Sequence, residues 1–312
     1  MNILKITPRL ALLLAILLLV WFAIAMFGAK LGAIDKLFAF GKMTIQWGMI
    51  GAGVVAVLSI VGLIVALISK PKGNWLAALL ALLVPLGFAG GLMGLQSTAA
   101  SVPFIYDITT NTADAPQYSA AMVKARADSG EGVNELLDFN APLGNYDNWA
   151  ENAELKGVTA AQLIADGYPN LKTLTIDRAP SDAITAIKDA MEMRGFENVT
   201  VDEDVGIVEG TSVVFWYGFE DDVVARVRAT ETGSSVDFRS TSRVGTSDLG
   251  VNAERIADLS KAVEDRLAED FPKMEVEVPA MLDEGDKEGN VEEEAATDAS
   301  AGNEGVGGGP AT

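Results

Sequence analysis

The chain has 312 residues, no cysteine, no histidine and a net charge of −20, beside a mean hydropathy of +0.26. Without those two side chains it has no disulfide, no thiolate nucleophile, no imidazole base and neither of the commonest zinc ligands. The acidic balance argues against a nucleic-acid partner, because duplex binding rests on Lys and Arg neutralising phosphates.

High hydropathy and high negative charge coexist because the chain is divided. Between Leu10 and Ser97 the charges are Lys30, Asp35, Lys36, Lys42, Lys70 and Lys72; beyond Pro103 charges are frequent and mostly acidic. Three charge-free apolar runs, residues 10–28, 48–69 and 75–95, are long enough to cross a hydrocarbon layer of roughly 30 Å as helices. Trp47 and Trp75 stand at span starts, where an amphipathic ring favours the interface. A second reading makes the first run a cleaved signal peptide ending near Phe27-Gly28-Ala29, which leaves the rest of the chain on the same side. With the N-terminus inside, Lys5, Arg9, Lys70 and Lys72 are cytoplasmic and Lys30, Lys36 and Lys42 are outside; no Lys or Arg then follows until Lys124. That pattern places the large domain outside the cytoplasm.

Pro85 is expected to kink the third span. Gly87, Gly90, Gly91 and Gly94 give overlapping G-xxx-G spacings there. Such glycines serve either packing among the chain's own spans, the preferred reading, or a homo-oligomer contact through Gly87, Gly91 and Gly94. No span carries an ionisable residue, so no proton or ion path is expected inside them. The organisation read from the chain is an anchor over residues 1–97, a soluble domain over 98–280 and an acidic tail over 281–312. The tail from Asp283 holds nine acidic residues and one Lys, and is expected to be a disordered, solvated extension.

Residues 97–103 (STAASVP) read as a short linker and 119–128 as a short helix. Residues 130–170 read as loops and short helices around single aromatics such as Phe139, Tyr146 and Trp149. Residues 174–176 form a short predicted strand. A helix starts at Pro180, buries Ala183, Ile184, Ile187, Ala190 and Met191, and ends at Gly195. Strand runs follow at 198–202, 206–209, 212–219, 223–229 and 235–243, separated by short turns, which predicts an antiparallel meander. Placing Thr232 and Gly233 at the centre of the last turn sets Arg228 opposite Asp237 and Arg226 opposite Arg239. Alternation then puts Val223, Ala225, Val227, Val236 and Phe238 on a core face with Ser240 and Ser242. The other face carries Arg226, Arg228, Asp237, Arg239, Thr241 and Arg243, a cationic stripe on an acidic protein. A final helix starts near Asn252, read as its N-cap, and buries Ile256, Leu259, Val263 and Leu267. The fold class is α+β: three transmembrane helices, then an antiparallel sheet with helices packed on one face.

The segment FRSTSRVGTSDLGVNAERI, residues 238–256, resembles the signature of a bacterial family known only as domain of unknown function 1499. Phe219-Glu220-Asp221-Asp222-Val223 followed by Arg226 resembles that family's F-x-DDV-x-x-R strand. The segment from Pro103 to Thr110 and the pair Tyr168-Pro169 are similar to further family features, so the resemblance covers roughly residues 103–270. It implies no agreed activity and no catalytic residues. Lipoprotein-like relatives imply exposure outside the cytoplasm, here a periplasmic domain on a bacterial inner membrane.

The candidate site is Arg226, Arg239, Arg243, Ser247, Asp248, Asn252 and Arg255, with Asp221 and Asp222 nearby. Three readings stand. In a structural one, Ser, Asp and Asn hold turns and Arg pairs with Asp across strands. In a binding one, the Arg stripe and a helix N-terminus hold an anionic lipid head group or envelope polymer. In a hydrolase one, Ser240 or Ser242 or a carboxylate acts, with a divalent cation as an option. Asp221 and Asp222 are expected on opposite faces, which disfavours chelation. The Asp202-x-Asp204-x-Gly206 fragment reads as a hairpin turn. No cofactor motif is present, and the partner implied throughout is the lipid bilayer.

Overall fold

A computed structural model describes residues 6–69, 74–130 and 132–270. The acidic tail expected over 281–312 lies outside the described residues.

Three helices open the chain: α1 (Thr7–Lys30), α2 (Gly48–Ile68) and α3 (Trp75–Ser101). With the segment before α2 included, the three are long and apolar enough to cross a membrane. They pack through small residues, with Ala11, Ala15, Ala52 and Ala81 buried between them. A Cβ at Gly48 would strike Phe22, and one at Gly62 would press on the backbone of Pro8. The preferred reading of the α3 glycines is overturned. Gly87, Gly90, Gly91 and Gly94 face open space, because the close approaches fall at Gly48, Gly51 and Gly62 instead. The expected linker at 97–103 is also absent: α3 continues to Ser101, since nothing in STAAS breaks a helix. Val102, ahead of Pro103, then turns extended (φ −123°, ψ 154°).

Between α1 and α2, residues Phe38–Trp47 form a π-helical stretch. Its wider turns leave carbonyls that side chains answer: Trp21 Nε1 donates to the Met43 carbonyl (3.0 Å) and Thr44 Oγ1 to the Ala39 carbonyl (3.0 Å).

The domain begins with β1 (Asp107–Thr109) and α4 (Ala120–Asp128), whose N-cap Ser119 accepts from the Met122 N–H. After a 3-10 turn (Leu143–Asn145) come α5 (Ala160–Gly167), closed by a Thr159–Gln162 capping box, β2 (Leu174–Ile176) and α6 (Pro180–Met193). The chain finishes with β3 (Glu197–Asp202), β4 (Ile207–Val213), β5 (Glu220–Ala229), β6 (Ser234–Ser242) and α7 (Val251–Asp270). The architecture is the expected α+β.

The sheet has six antiparallel strands in the order β1-β6-β5-β4-β3, and β2 also pairs with β6. So β1 and β2 share the outer edge of β6 end to end. Strand β1 was not among the predicted strands. The predicted strands 206–209 and 212–219 are one strand ending at Val213. It passes through Gly210, where a Cβ would crowd Val199, and stops because Tyr217 and Gly218 both adopt positive φ.

The core lies on one face. Val223, Ala225, Val227, Val236 and Phe238 meet α6 and α7, with Trp149 stacked on Tyr106 at 5.0 Å. Helix α4 covers the opposite face, which the expectation of helices on one face did not include. There Tyr118 and Met122 pack on Val224.

Candidate functional site

The β5–β6 register is Arg226↔Asp237, Val224↔Arg239 and Arg228↔Ser235. The expected pairing was off by two residues, because the connection is the longer Thr230–Gly233 turn, closed by a Thr230 N–H to Gly233 carbonyl bond (2.9 Å). A shift of two preserves the faces. The Arg stripe therefore lies on the face expected for it, but that face is covered.

Arg239 is 1% exposed. Its Nε and Nη2 reach the Asp107 carboxylate at 3.0 and 2.7 Å, and Nη1 and Nη2 also donate to the Pro116 and Leu137 carbonyls. The guanidinium lies over the Phe139 ring, 4.9 Å from its centroid. Asp107, fully buried, also accepts from the Thr241 hydroxyl (2.6 Å) and the Leu137 N–H (3.0 Å). Beside it, Tyr118 donates to the Asp222 carbonyl at 2.7 Å. Burial, with the Asp107 charge adding to it, pushes this phenol above its ordinary value.

Asp222 is the second hub. It accepts from Arg126 Nη1 (2.7 Å), Arg243 Nε and Nη2 (2.9 and 2.8 Å) and the Thr211 hydroxyl (2.7 Å). Arg243 continues to Glu220 (3.2 Å), and Glu220 accepts from Lys36 (2.7 Å), which lies between α1 and the π-helical stretch. Arg126, Asp222, Arg243, Glu220 and Lys36 thus form one unbroken file of ion pairs from α4 to the anchor. Arg226 is held by Asp114 and Asp237.

A separate cluster sits on the core face. Asn252 is fully buried: its amide oxygen accepts from Ser240 (2.7 Å) and Arg255, and its Nδ2 donates to the Tyr106 carbonyl and the Ser242 hydroxyl, both at 3.0 Å. Arg255 also pairs with Asp221 at 2.5 Å. Asn252 is therefore not the N-cap. The carboxylate at the helix start is Asp248, which accepts from the Gly250 and Asn252 N–H groups at 2.9 and 2.8 Å. Leu249 and Gly250, both at positive φ, fold the chain back so that Asp248 reaches them. Burial pushes the Asp248 carboxyl up to about 6, opposed by those two backbone donors. Ser247 accepts from the Leu249 N–H at 3.2 Å, and nearby the Tyr168 hydroxyl is buried with no hydrogen-bond partner among the described residues.

The seven expected residues are therefore not one site. Arg226, Arg239 and Arg243 lie on the α4 side, Asn252 and Arg255 on the core side, and Ser247 and Asp248 in the loop between. Asp221 and Asp222 point to opposite faces, as expected. Asp202 holds the β3–β4 turn through the Val205 N–H (3.3 Å), and among the described residues no cluster of three or more carboxylates is placed to hold a metal. Sequence reasoning missed Asp107, Arg126 and Lys36. Only the alternation Asp107-Ile108-Thr109, polar and apolar by turns, hinted at one of them.

A family model described as protein of unknown function (DUF1499) matches residues 107–263. The chain belongs to that family. The matched span runs from β1 through most of α7, so it contains both Asp hubs and the Asn252 cluster but stops short of the anchor. No curated protein and no solved structure matches the chain.

Proposed function

We propose that this DUF1499 chain is a membrane-held structural module, its domain docked on the bilayer surface outside the cytoplasm, on the periplasmic side of an inner membrane. The file of ion pairs from Arg126 to Lys36 carries this reading. A domain joined to its anchor by a linker alone could swing freely. This one is tied by Lys36–Glu220 and by the hydrogen bond between the Thr44 and Tyr217 hydroxyls (2.6 Å), besides the short step from the end of α3 at Ser101. Gly87, Gly91 and Gly94, open along α3, support a homo-oligomer within the same reading.

The anion reading attaches to a cavity of about 210 Å³ lined by Lys36, Arg243, Asp35 and Glu220. Both cations are already paired there, so a lipid head group or envelope polymer has to displace Glu220. The hydrolase reading has less support: Ser240 and Ser242 are buried and their hydroxyls engage Asn252.

The experiment compares wild type with Arg239→Gln and Arg243→Gln in the full chain, measuring thermal midpoint and, by mass spectrometry, anionic lipid copurified in detergent. The structural reading expects lower midpoints and unchanged lipid in whatever remains folded. An Arg243→Gln protein with wild-type stability that has lost its lipid would replace it with the head-group reading.

A further inference from the structure

Residues 214–219 (VFWYGF) connect β4 to β5 at the end of the sheet nearest the anchor. Phe215 and Trp216 are 57% and 60% exposed. The other exposed aromatic among the domain's described residues is Phe104, at the α3 exit. An isolated exposed apolar side chain means little; two adjacent aromatics at a loop tip ask for a partner.

The loop is not loose. Tyr217 adopts φ +60°, a left-handed conformation unfavourable for a bulky residue, and its neighbours hold it there. Its hydroxyl bonds Thr44, and its ring meets Phe40 edge-on at 5.4 Å. Gly218, at φ +68°, passes so close to α1 that a Cβ would stand 3.0 Å from the Lys30 Cα. The Lys30 ammonium sits 4.2 Å from the Phe215 ring centroid. The tip is thus clamped against the end of α1 and the π-helical stretch.

The depth of that clamp follows from helix length. The 21 residues of α2, at about 1.5 Å each, alone span the roughly 30 Å of hydrocarbon. Phe38–Trp47 therefore rises into the head-group layer, and so does whatever touches Phe40, Thr44 and Lys30. Aromatic rings with a polar edge favour that layer, and a lysine ending a span extends its ammonium toward it. The outer face of α1 and the start of the π-helical stretch are apolar there: Ile24, Phe27, Leu37 and Phe38 are all exposed.

We propose that the aromatic tip at 214–219 is a second membrane contact, with Phe215 and Trp216 seated in the head-group boundary of the bilayer that the anchor spans. The proposal rests on the membrane-held reading above. It assigns the domain a fixed orientation, with the β4–β5 end down and the β3–β4 and β5–β6 hairpins pointing away.

The absence of cysteine makes the test clean. Single cysteines replace Phe215, Trp216, Val205 and Ile64, each in the full chain, labelled with a nitroxide and reconstituted into phosphatidylcholine–phosphatidylglycerol vesicles. Electron paramagnetic resonance then compares collision with oxygen, which prefers lipid, and with a water-soluble nickel chelate. Val205, 63% exposed, lies in the β3–β4 turn at the opposite end of the sheet and is the aqueous control; Ile64, 54% exposed on α2, is the lipid control. The expected result is an oxygen-to-nickel ratio at Phe215→Cys and Trp216→Cys several-fold above that at Val205→Cys and below that at Ile64→Cys. A lipid reading at Ile64→Cys with aqueous readings at both tip positions overturns the proposal, assigns the tip to water or a protein partner, and leaves the anchor intact. An aqueous reading at Ile64→Cys overturns the anchor and the tip together.

Discussion

Arg239→Met removes the cation from the most buried ion pair in the domain while keeping much of the stem's volume. Asp107 is left fully buried with two donors, the Thr241 hydroxyl and the Leu137 N–H, in place of four. The Pro116 and Leu137 carbonyls lose a donor as well. Breaking a buried pair by deleting one partner costs about 3–5 kcal/mol, because the survivor keeps its desolvation penalty without its compensation. The two retained donors moderate the loss and the two orphaned carbonyls restore it, at about 1 kcal/mol each, so we expect about 4 kcal/mol. Against a typical total of about 5–15 kcal/mol, that is enough to unfold a weak domain. Arg239→Lys keeps the charge but not the two-pronged contact, and should fall between wild type and Arg239→Met. The assay is protease cleavage of the domain in urea, on the full chain in micelles, with Asp107→Asn and the double variant completing a cycle. The double variant should cost clearly less than the sum of the singles. An Arg239→Met protein within about 0.5 kcal/mol of wild type would refute the reasoning, since that is the range of an ordinary surface change.

Two further outcomes follow from the core-face cluster and the Ser247–Asp248 loop beside it. Asn252→Ala leaves the Ser240 and Ser242 hydroxyls and the Tyr106 carbonyl short of a partner inside the core, so it should cost several-fold more stability than Ser247→Ala, which loses one long bond at a half-buried loop; thermal midpoints of the two variants decide this. Asp248 holds its proton more tightly folded than unfolded, so ionising it costs stability and protonating it restores stability. Wild type should therefore gain on Asp248→Asn as the pH falls through about 6, and a midpoint difference that stays flat with pH would contradict the burial argument.

Much of the fold was legible in the sequence because it is periodic. The three apolar helices declare themselves by length and lack of charge, α6 by Pro180 and Gly195, and the β5–β6 faces by alternation that survives even a two-residue error in register. What stayed hidden was long-range. Asp107 meets Arg239 across 132 residues, and Arg126 meets Asp222 across 96, with no local pattern linking either pair. An Arg stripe seen without its cover resembles an anion site; the cover here is α4, whose large apolar residues are Met122 and Val123 alone, with Asp114, Pro116, Leu137 and Phe139 from the segments beside it. The 212–219 run looked like a strand because aromatic residues suit strands, and its tight Tyr217-Gly218 turn is set by contacts with Phe40, Thr44 and Lys30 that no window along the chain contains.

The adjacent pair Asp221-Asp222 shows why the 238–256 segment is so densely polar. Neighbours on a strand face opposite ways, so two successive carboxylates serve two different networks. Asp222 gathers Arg126 and Arg243 against α4, while Asp221 takes Arg255 from α7 on the core side. Strand β6, with Arg243 just past its end, does the same with its own alternation: Arg239, Thr241 and Arg243 one way, Ser240 and Ser242 the other. One hairpin thereby joins both layers of the domain. Because the α4-side network continues through Glu220 to Lys36, a charge removed at Asp222 acts at both ends of the file. Asp222→Asn should therefore loosen α4 and weaken the hold of the domain on its anchor together, where Asp221→Asn loosens α7 alone.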